Sequence, residues 1–172
     1  MKPWRTLVTL LALILALLIP PAAATASDTT NYPQVVWGIP KVSDPVNVQL
    51  QGPDNVWRIR KVADTVREKV PGLRIRLYGT CAERPNYHCV TIRVRDYGAT
   101  AWSGQTTAYG DGRLIQLNSH YGNHYYVGCH ELLHALGMMH HRYWHGCLRS
   151  PAELPLPETP APGEIDTLRA YY

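Results

Sequence analysis

The sequence predicts an α/β (α+β) domain with a mixed, twisted sheet of about five strands and two long helices, one of which carries the candidate site. A small irregular C-terminal part that ends in a short helix completes the domain. Apolar residues alternate with polar ones in several short runs, recur three and four residues apart in longer runs, and are followed by a histidine-rich segment. At 172 residues the chain has room for one such domain, which we assign to residues 46–172.

The first 26 residues have the pattern of a signal peptide. Lys2 and Arg5 precede an uncharged apolar run from Leu7 to Ile19, and Ala24-Thr25-Ala26 supplies small residues for cleavage near Ala26. The run has 13 residues, whereas a membrane span needs about 20, so the length favours cleavage over an uncleaved anchor. The protein is therefore expected to be secreted and to have no stable membrane span.

Residues 27–45 are polar and rich in proline, which predicts an N-terminal arm lying over the domain. Loss of Lys2 and Arg5 with the signal peptide leaves 15 of the 17 basic residues against 13 acidic ones. Because this balance gives no electrostatic footprint for nucleic acid, we expect no nucleic-acid partner. We also expect a monomer.

The first two elements of the domain follow from two different apolar periods. Alternation from Val46 to Leu50 predicts a half-buried strand. A helix follows, which Asp54 or Asn55 can cap and which Pro71-Gly72 ends. The apolar stripe of this helix comprises Val56, Ile59, Ala63, Val66 and Val70.

Two further strands are predicted to point apolar residues inward and arginines outward. The inward residues are Leu73, Ile75 and Leu77 in one strand and Val90, Ile92 and Val94 in the other. The outward residues are Arg74, Arg76, Arg93 and Arg95. This arginine row has the composition of a site for an acidic ligand, but the pattern favours a solvated sheet face.

The remaining predicted elements are a hairpin and a final helix. Thr106 to Tyr109 and Leu114 to Leu117 are strand candidates on either side of Gly110-Asp111-Gly112, a turn signal that makes them antiparallel. After a proline-rich span, Ile165 and Leu168 lie at helical spacing and predict the short C-terminal helix.

The segment after the hairpin reads H-E-x-x-H-x-x-G-x-x-H without a mismatch. Residues four apart lie on one face of a helix, so His130 and His134 can present imidazole nitrogens to one Zn²⁺, with Glu131 beside them. Ordinary helix histidines are the alternative. The complete pattern favours the metal site, because a bare H-E-x-x-H lacks the two later positions.

The two later positions are Gly137 and His140. Gly137 can adopt the left-handed conformation that ends a helix, which turns the chain back and lets His140 supply a third ligand. His141 and His145 compete for that role, but the spacing from Gly137 favours His140. Three histidines leave one tetrahedral position to water, and Glu131 is placed to take its proton during attack on a carbonyl.

The chain resembles the metzincin zinc metallopeptidases, and among them a small secreted bacterial matrixin-like type. The resemblance is carried by Cys129-His130-Glu131-Leu132-Leu133-His134-Ala135-Leu136-Gly137 together with His140. It covers the layout of most of the chain after residue 45, and it implies a metzincin-like fold with Glu131 as general base. The implied ligands of one catalytic Zn²⁺ are His130, His134 and His140.

The chain departs from the metzincin pattern at one turn. Members of that family place a methionine in a tight turn below the zinc, and no methionine follows His140 here. Met138 and Met139 lie between ligands and cannot take this role. We expect Leu148 to be the Met-turn equivalent, since leucine and methionine have similar volumes and such exchanges usually cost less than about 1.5 kcal/mol.

The resemblance also implies what the domain binds. An extended peptide or protein substrate would pair with an edge strand near Trp102 to Tyr109, although an ordinary edge hairpin is an equal alternative. Larger matrixins carry a second metal site, for which His88, His120 and His124 are candidates. Their spacing favours surface histidines instead, and a requirement for Ca²⁺ stays open.

The four cysteines are Cys81, Cys89, Cys129 and Cys147, and all lie in the predicted mature chain. An even number in an exported domain predicts two disulfides, for which three pairings are possible. Pairing Cys81 with Cys89 closes a short loop, and Cys129 would then join the zinc helix to the Leu148 turn through Cys147. Free cysteines, or a thiolate in the open zinc position, are the alternatives.

These expectations combine into a secreted zinc-dependent endopeptidase that hydrolyses peptide bonds by a zinc-bound water, with Glu131 as general base. One alternative is a zinc hydrolase that acts on a non-protein amide such as a cell-wall bond. Another is a catalytically weak, zinc-stabilised binding protein.

Overall fold

A computed structural model describes most of the predicted domain. The described residues are 46–51, 57–77, 89–109, 112–121, 125–142, 145–149 and 157–172. The predicted signal peptide and N-terminal arm lie outside them. None of the described helices combines the length and apolar character needed to cross a membrane.

The element order is the predicted one, with mixed α/β composition. The strands are β1 (Val46–Gln51), β2 (Ile75–Leu77), β3 (Cys89–Arg95), β4 (Gly104–Tyr109) and β5 (Gly112–Asn118). The helices are α1 (Ile59–Lys69), α2 (Tyr125–Ala135) and α3 (Pro162–Tyr171), with a short 3₁₀ helix at Ser119–Tyr121.

The five strands form one mixed sheet in the order β2-β1-β3-β5-β4. Strands β2, β1, β3 and β5 are parallel to one another, and α1 supplies the crossover between β1 and β2. Strand β4 pairs antiparallel with β5 from Gly104↔Leu117 to Tyr109↔Gly112, as the hairpin signal predicted. Among the described strands, β4 therefore forms one edge of the sheet.

Helix α1 begins later than the sequence predicts. Its N-cap is Arg58, which has the left-handed backbone (φ 49°) and makes no side-chain capping bond. The expected caps, Asp54 and Asn55, lie outside the described residues, and a cap at either position is wrong for a helix that starts at Ile59. The Arg58 side chain forms an ion pair with Glu158 and lies over the ring of Tyr125.

Strand β2 is also shorter than predicted, because it begins at Ile75. Leu73 is buried as expected, but it precedes the strand. Arg74, Arg76 and Arg95 are exposed and Arg93 is half-buried, which agrees with a sheet face turned toward solvent.

The core lies between the sheet and helices α1 and α2. Leu132, Leu133 and Leu136 are fully buried and pack into the same cluster as Ile92 and Ile115 of the sheet. Burial of each such side chain is worth about 1.5–3 kcal/mol, so this packing holds α2 in place against the strands. The predicted stripe of α1 is buried from Ile59 to Val70.

Candidate metal centre

Helix α2 ends where the sequence predicts. Gly137 has φ 91°, a conformation that a Cβ would strain. The Gly137 N–H donates to His134 O at 2.9 Å and the Met138 N–H donates to Leu133 O at 3.1 Å, which together form a Schellman motif. The chain leaves the helix in a new direction, and this brings His140 back toward the helix.

The three predicted ligands converge on one point. The Nε2 atoms of His130 and His134 lie 3.1 Å apart, and that of His140 lies 3.1 Å from His130 and 3.2 Å from His134. Tetrahedral Zn²⁺ with Zn–N bonds of about 2.0–2.1 Å places its nitrogen ligands roughly 3.3 Å apart. The cluster could therefore hold a metal ion, and its spacing fits the size of zinc.

Backbone carbonyls orient two of these rings. His130 Nδ1 lies 3.0 Å from Cys147 O, and His134 Nδ1 lies 2.8 Å from Met138 O. A carbonyl can only accept, so each Nδ1 carries the hydrogen and each Nε2 keeps its lone pair free for a metal.

Burial keeps the three histidines neutral. It lowers the pKa of His130 to about 4, of His134 to about 3, and that of His140 in the same direction, with the neighbouring histidines adding to the effect. Neutral imidazole is the form that binds metal, so at neutral pH no proton has to be displaced from the cluster.

The carboxylate of Glu131 lies against the edge strand. Burial raises its pKa to about 7, while a hydrogen bond from Thr106 Oγ1, 2.7 Å from Glu131 Oε2, acts in the opposite direction. A divalent cation at the neighbouring histidines favours the ionised carboxylate, so this raised pKa belongs to the metal-free protein. The close approach of Glu131 to strand β4 depends on Gly104, because a Cβ at that position would lie 2.8 Å from Glu131 Cγ.

The expected Met-turn equivalent, Leu148, is fully buried. Its turn is joined to α2 by the disulfide Cys129–Cys147, with Cα atoms 5.9 Å apart, which confirms that predicted pair. Cys89 is also disulfide-bonded, and its expected partner Cys81 lies outside the described residues. Since the described cysteines are all oxidised, none of them can supply a thiolate ligand.

The carboxylate of Glu164 holds the Leu148 turn from the other side. Its oxygens accept the N–H groups of Cys147 at 3.1 Å, Leu148 at 2.9 Å and Ala161 at 2.9 Å. His141 Nε2 lies 2.8 Å from Glu164 Oε1, and both side chains are fully buried. His141 therefore belongs to this polar cluster and does not join the metal ligands.

The other histidines stay apart from the site. His145 and His120 are exposed, and His120 Nδ1 lies 3.6 Å from Asp96. His88 and His124 lie outside the described residues. Within the described part of the chain, the triad on α2 and the following turn is the one cluster of this kind.

A cleft of about 470 Å³ opens beside the triad. It is lined by Thr106 to Ala108 on the edge strand, by Arg113, and by Met139 with the two ligands His134 and His140. A larger cavity of about 650 Å³ lies between α1 and β2, where arginines form much of its wall. That cavity has none of the candidate ligands or bases, so the smaller cleft is the candidate site.

The roles of Thr106 and Glu164 in this site were not predicted from the sequence. The sequence places Thr106 in the predicted edge strand without a contact to Glu131, and it gives Glu164 no role in the site, because their contacts cross 25 and 16 residues of chain. A carboxylate three residues after a helix N-cap is a detectable signal, but one sequence does not show that it also binds a distant turn.

No protein-family model matches the chain, and a search of curated proteins found none that is significantly similar to it. The assignment of function therefore rests on the geometry and chemistry of the cluster itself.

Proposed function

We propose that the protein is a secreted zinc-dependent endopeptidase of the metzincin type. The observation that carries this proposal is the convergence of three imidazole Nε2 atoms within 3.1–3.2 Å of one another. The set of three nitrogens leaves one position of a tetrahedral ion open, which is typical of catalytic rather than structural zinc. Glu131 follows the first candidate ligand and accepts a hydrogen bond from Thr106 of the cleft wall, which supports the same proposal.

Each residue of the site would have a separate role in the reaction. Zinc, when bound, would supply a Lewis acid that activates water and polarises a carbonyl. Glu131 would accept the proton from the attacking water and return it to the leaving amine. Thr106 would hold that carboxylate in one orientation through its hydroxyl. The carbonyls of Cys147 and Met138 would keep two of the ligand rings in position.

The substrate would be an extended peptide. Strand β4 is a sheet edge and lines the cleft beside the histidines, so its outer backbone groups could pair with a peptide as a further strand. Such pairing recognises the backbone N–H and C=O groups that peptides share. Recognition through main-chain groups favours a peptide bond over a non-protein amide as the group that is cleaved.

Proteolysis of unstructured casein by the purified mature protein tests the proposal. We expect cleavage that a chelator abolishes, and we expect Glu131→Ala to retain zinc while activity falls by about 10²–10⁴-fold. Glu68→Ala is the matched control, because that side chain is 77% exposed on α1. Equal cleavage by Glu131→Ala and wild type would contradict the role of Glu131, and zinc binding without cleavage by either would favour a binding protein.

A further inference from the structure

Arg113 stands at the start of β5 and faces the candidate active site. In the antiparallel register Ala108 pairs with Arg113 and Thr106 pairs with Ile115. Paired residues project from the same face, so Arg113 shares the face of Thr106, whose hydroxyl contacts Glu131. Ile115 is fully buried under the helices, whereas Arg113, two residues earlier, is half-buried in the cleft wall.

The guanidinium of Arg113 is the main fixed charge of this cleft. Apart from two histidines, the other described residues that line the cleft are uncharged. Its Nη1 donates to the backbone oxygen of Gly112 at 2.9 Å, which restrains the side chain and leaves further N–H donors of the guanidinium. An arginine restrained in this way loses less conformational freedom when it binds an anion.

We propose that Arg113 binds a carboxylate of the substrate, so that the cleft selects peptides with an aspartate or glutamate close to the scissile bond. This inference rests on the proposed peptidase function. The planar guanidinium matches a carboxylate in a bidentate arrangement, and partial burial limits screening by solvent. A peptide lying along β4 sends alternate side chains toward the cleft, and Ala108, the pairing partner of Arg113, offers no bulk to block one of them.

A carboxylate could reach Arg113 from two sources. One is an acidic side chain inside a longer peptide, and the other is the C-terminal carboxylate of a short peptide. The test therefore uses peptides blocked at both ends that carry Glu or Gln at one position at a time around the cleaved bond. A second set carries Gln throughout and ends in either a free carboxylate or an amide.

The kcat/KM ratio between paired peptides is measured for wild type, Arg113→Gln, Arg113→Glu and Arg76→Gln. Arg76→Gln removes the same charge from an exposed position on β2, far along the sheet from β4, and is the control. We expect wild type and control to prefer the carboxylate peptide by about tenfold in one of the two sets. Arg113→Gln should abolish the preference. Arg113→Glu is also tested with a peptide that carries Lys in place of Glu, and it should cleave that peptide better than the Glu peptide.

A binding measurement separates this inference from the proposed function. Zinc-loaded Glu131→Ala, with and without Arg113→Gln, is titrated with fluorescently labelled Glu and Gln peptides, and anisotropy reports the affinity. If wild type cleaves nothing, the peptidase proposal fails, while tighter binding of the Glu peptide that needs Arg113 still supports the carboxylate site. The inference is overturned if wild type shows no preference for the carboxylate peptide in either measurement. It is also overturned if Arg113→Gln leaves the preference unchanged in both, or if no peptide binds at all.

Discussion

At the scale of single residues, the buried carboxylate of Glu164 links the C-terminal helix to the candidate metal centre. It accepts the backbone N–H groups of Cys147 and Leu148, and the carbonyl of Cys147 in turn orients His130. A carboxylate is suited to this position because it only accepts hydrogen bonds and has room for four of them. Its contact with His141 uses the remaining capacity.

Glu164→Gln should therefore destabilise the fold. The amide keeps the shape of the side chain, but it loses the charge and turns an NH₂ group toward backbone N–H donors. We expect a loss of about 2–4 kcal/mol in the free energy of unfolding, measured by urea denaturation. Asp166→Asn, at a side chain that is 69% exposed, is the control and should change stability by less than about 0.5 kcal/mol. Equal effects of the two substitutions would contradict this role.

At the same scale, the candidate ligands and the candidate base were predictable from local spacing, whereas the residues that support them were not. His130, His134 and Gly137 lie within two helical turns, so the backbone geometry of one helix fixes their relation. Thr106 reaches Glu131 only because the hairpin folds β4 to the edge of the sheet next to α2. No local pattern encodes that approach.

At the scale of elements, the disulfide Cys129–Cys147 connects the ligand helix to the turn beneath it. The turn provides the carbonyl of Cys147, which orients the His130 ring, and the fully buried side chain of Leu148. Loss of the disulfide would leave the turn held to the fold by Glu164 without its covalent link to α2, across a sequence separation of 18 residues.

The double variant Cys129→Ser, Cys147→Ser should lose both stability and metal affinity. Closing a loop of this length is worth about 3 kcal/mol in the chain-entropy model, and loss of an orienting partner of a ligand typically costs about 10–100-fold in affinity. Urea denaturation and competition with a zinc indicator measure the two effects. Unchanged zinc affinity would show that the turn holds His130 without the disulfide.

Element type and order followed from the sequence, but two element starts did not. The apolar stripe identified α1, yet its first residue depends on the left-handed Arg58 and on the partners of that side chain across the fold. Leu73 continued the strand alternation, but the pairing that makes a strand begins at Ile75↔Val46. Apolar periodicity reports burial, whereas strand and helix ends depend on tertiary contacts.

At the scale of the whole molecule, the buried histidines couple folding to pH. The pKa of His134 falls from 6.5 to about 3 on folding, so below pH 6.5 the unfolded chain binds a proton that the folded chain excludes. This contribution to stability is complete above pH 6.5 and is lost as the pH falls toward 3. Folding raises the pKa of Glu131 from 4.5 to about 7, so the folded chain binds a proton in this range that the unfolded chain has lost. The contribution of Glu131 to stability therefore falls as the pH rises from 4.5 to about 7.

Comparison with His134→Leu isolates the histidine contribution. We expect the chelator-treated wild-type protein to lose more stability between pH 7 and pH 4.5 than chelator-treated His134→Leu, with unfolding in urea followed by circular dichroism. The two proteins share Glu131 and the surface carboxylates, so the difference between their pH slopes reports His134. Parallel slopes would contradict burial of a neutral imidazole at this position.

The proposed function depends on three imidazoles that hold one zinc ion. Metal analysis combined with zinc X-ray absorption on the purified mature protein tests it most directly. We predict one zinc per chain with three imidazole nitrogens at about 2.0–2.1 Å and one further light-atom ligand. A protein that binds no zinc, or a zinc site with a sulfur ligand or fewer than three imidazoles, would contradict the account.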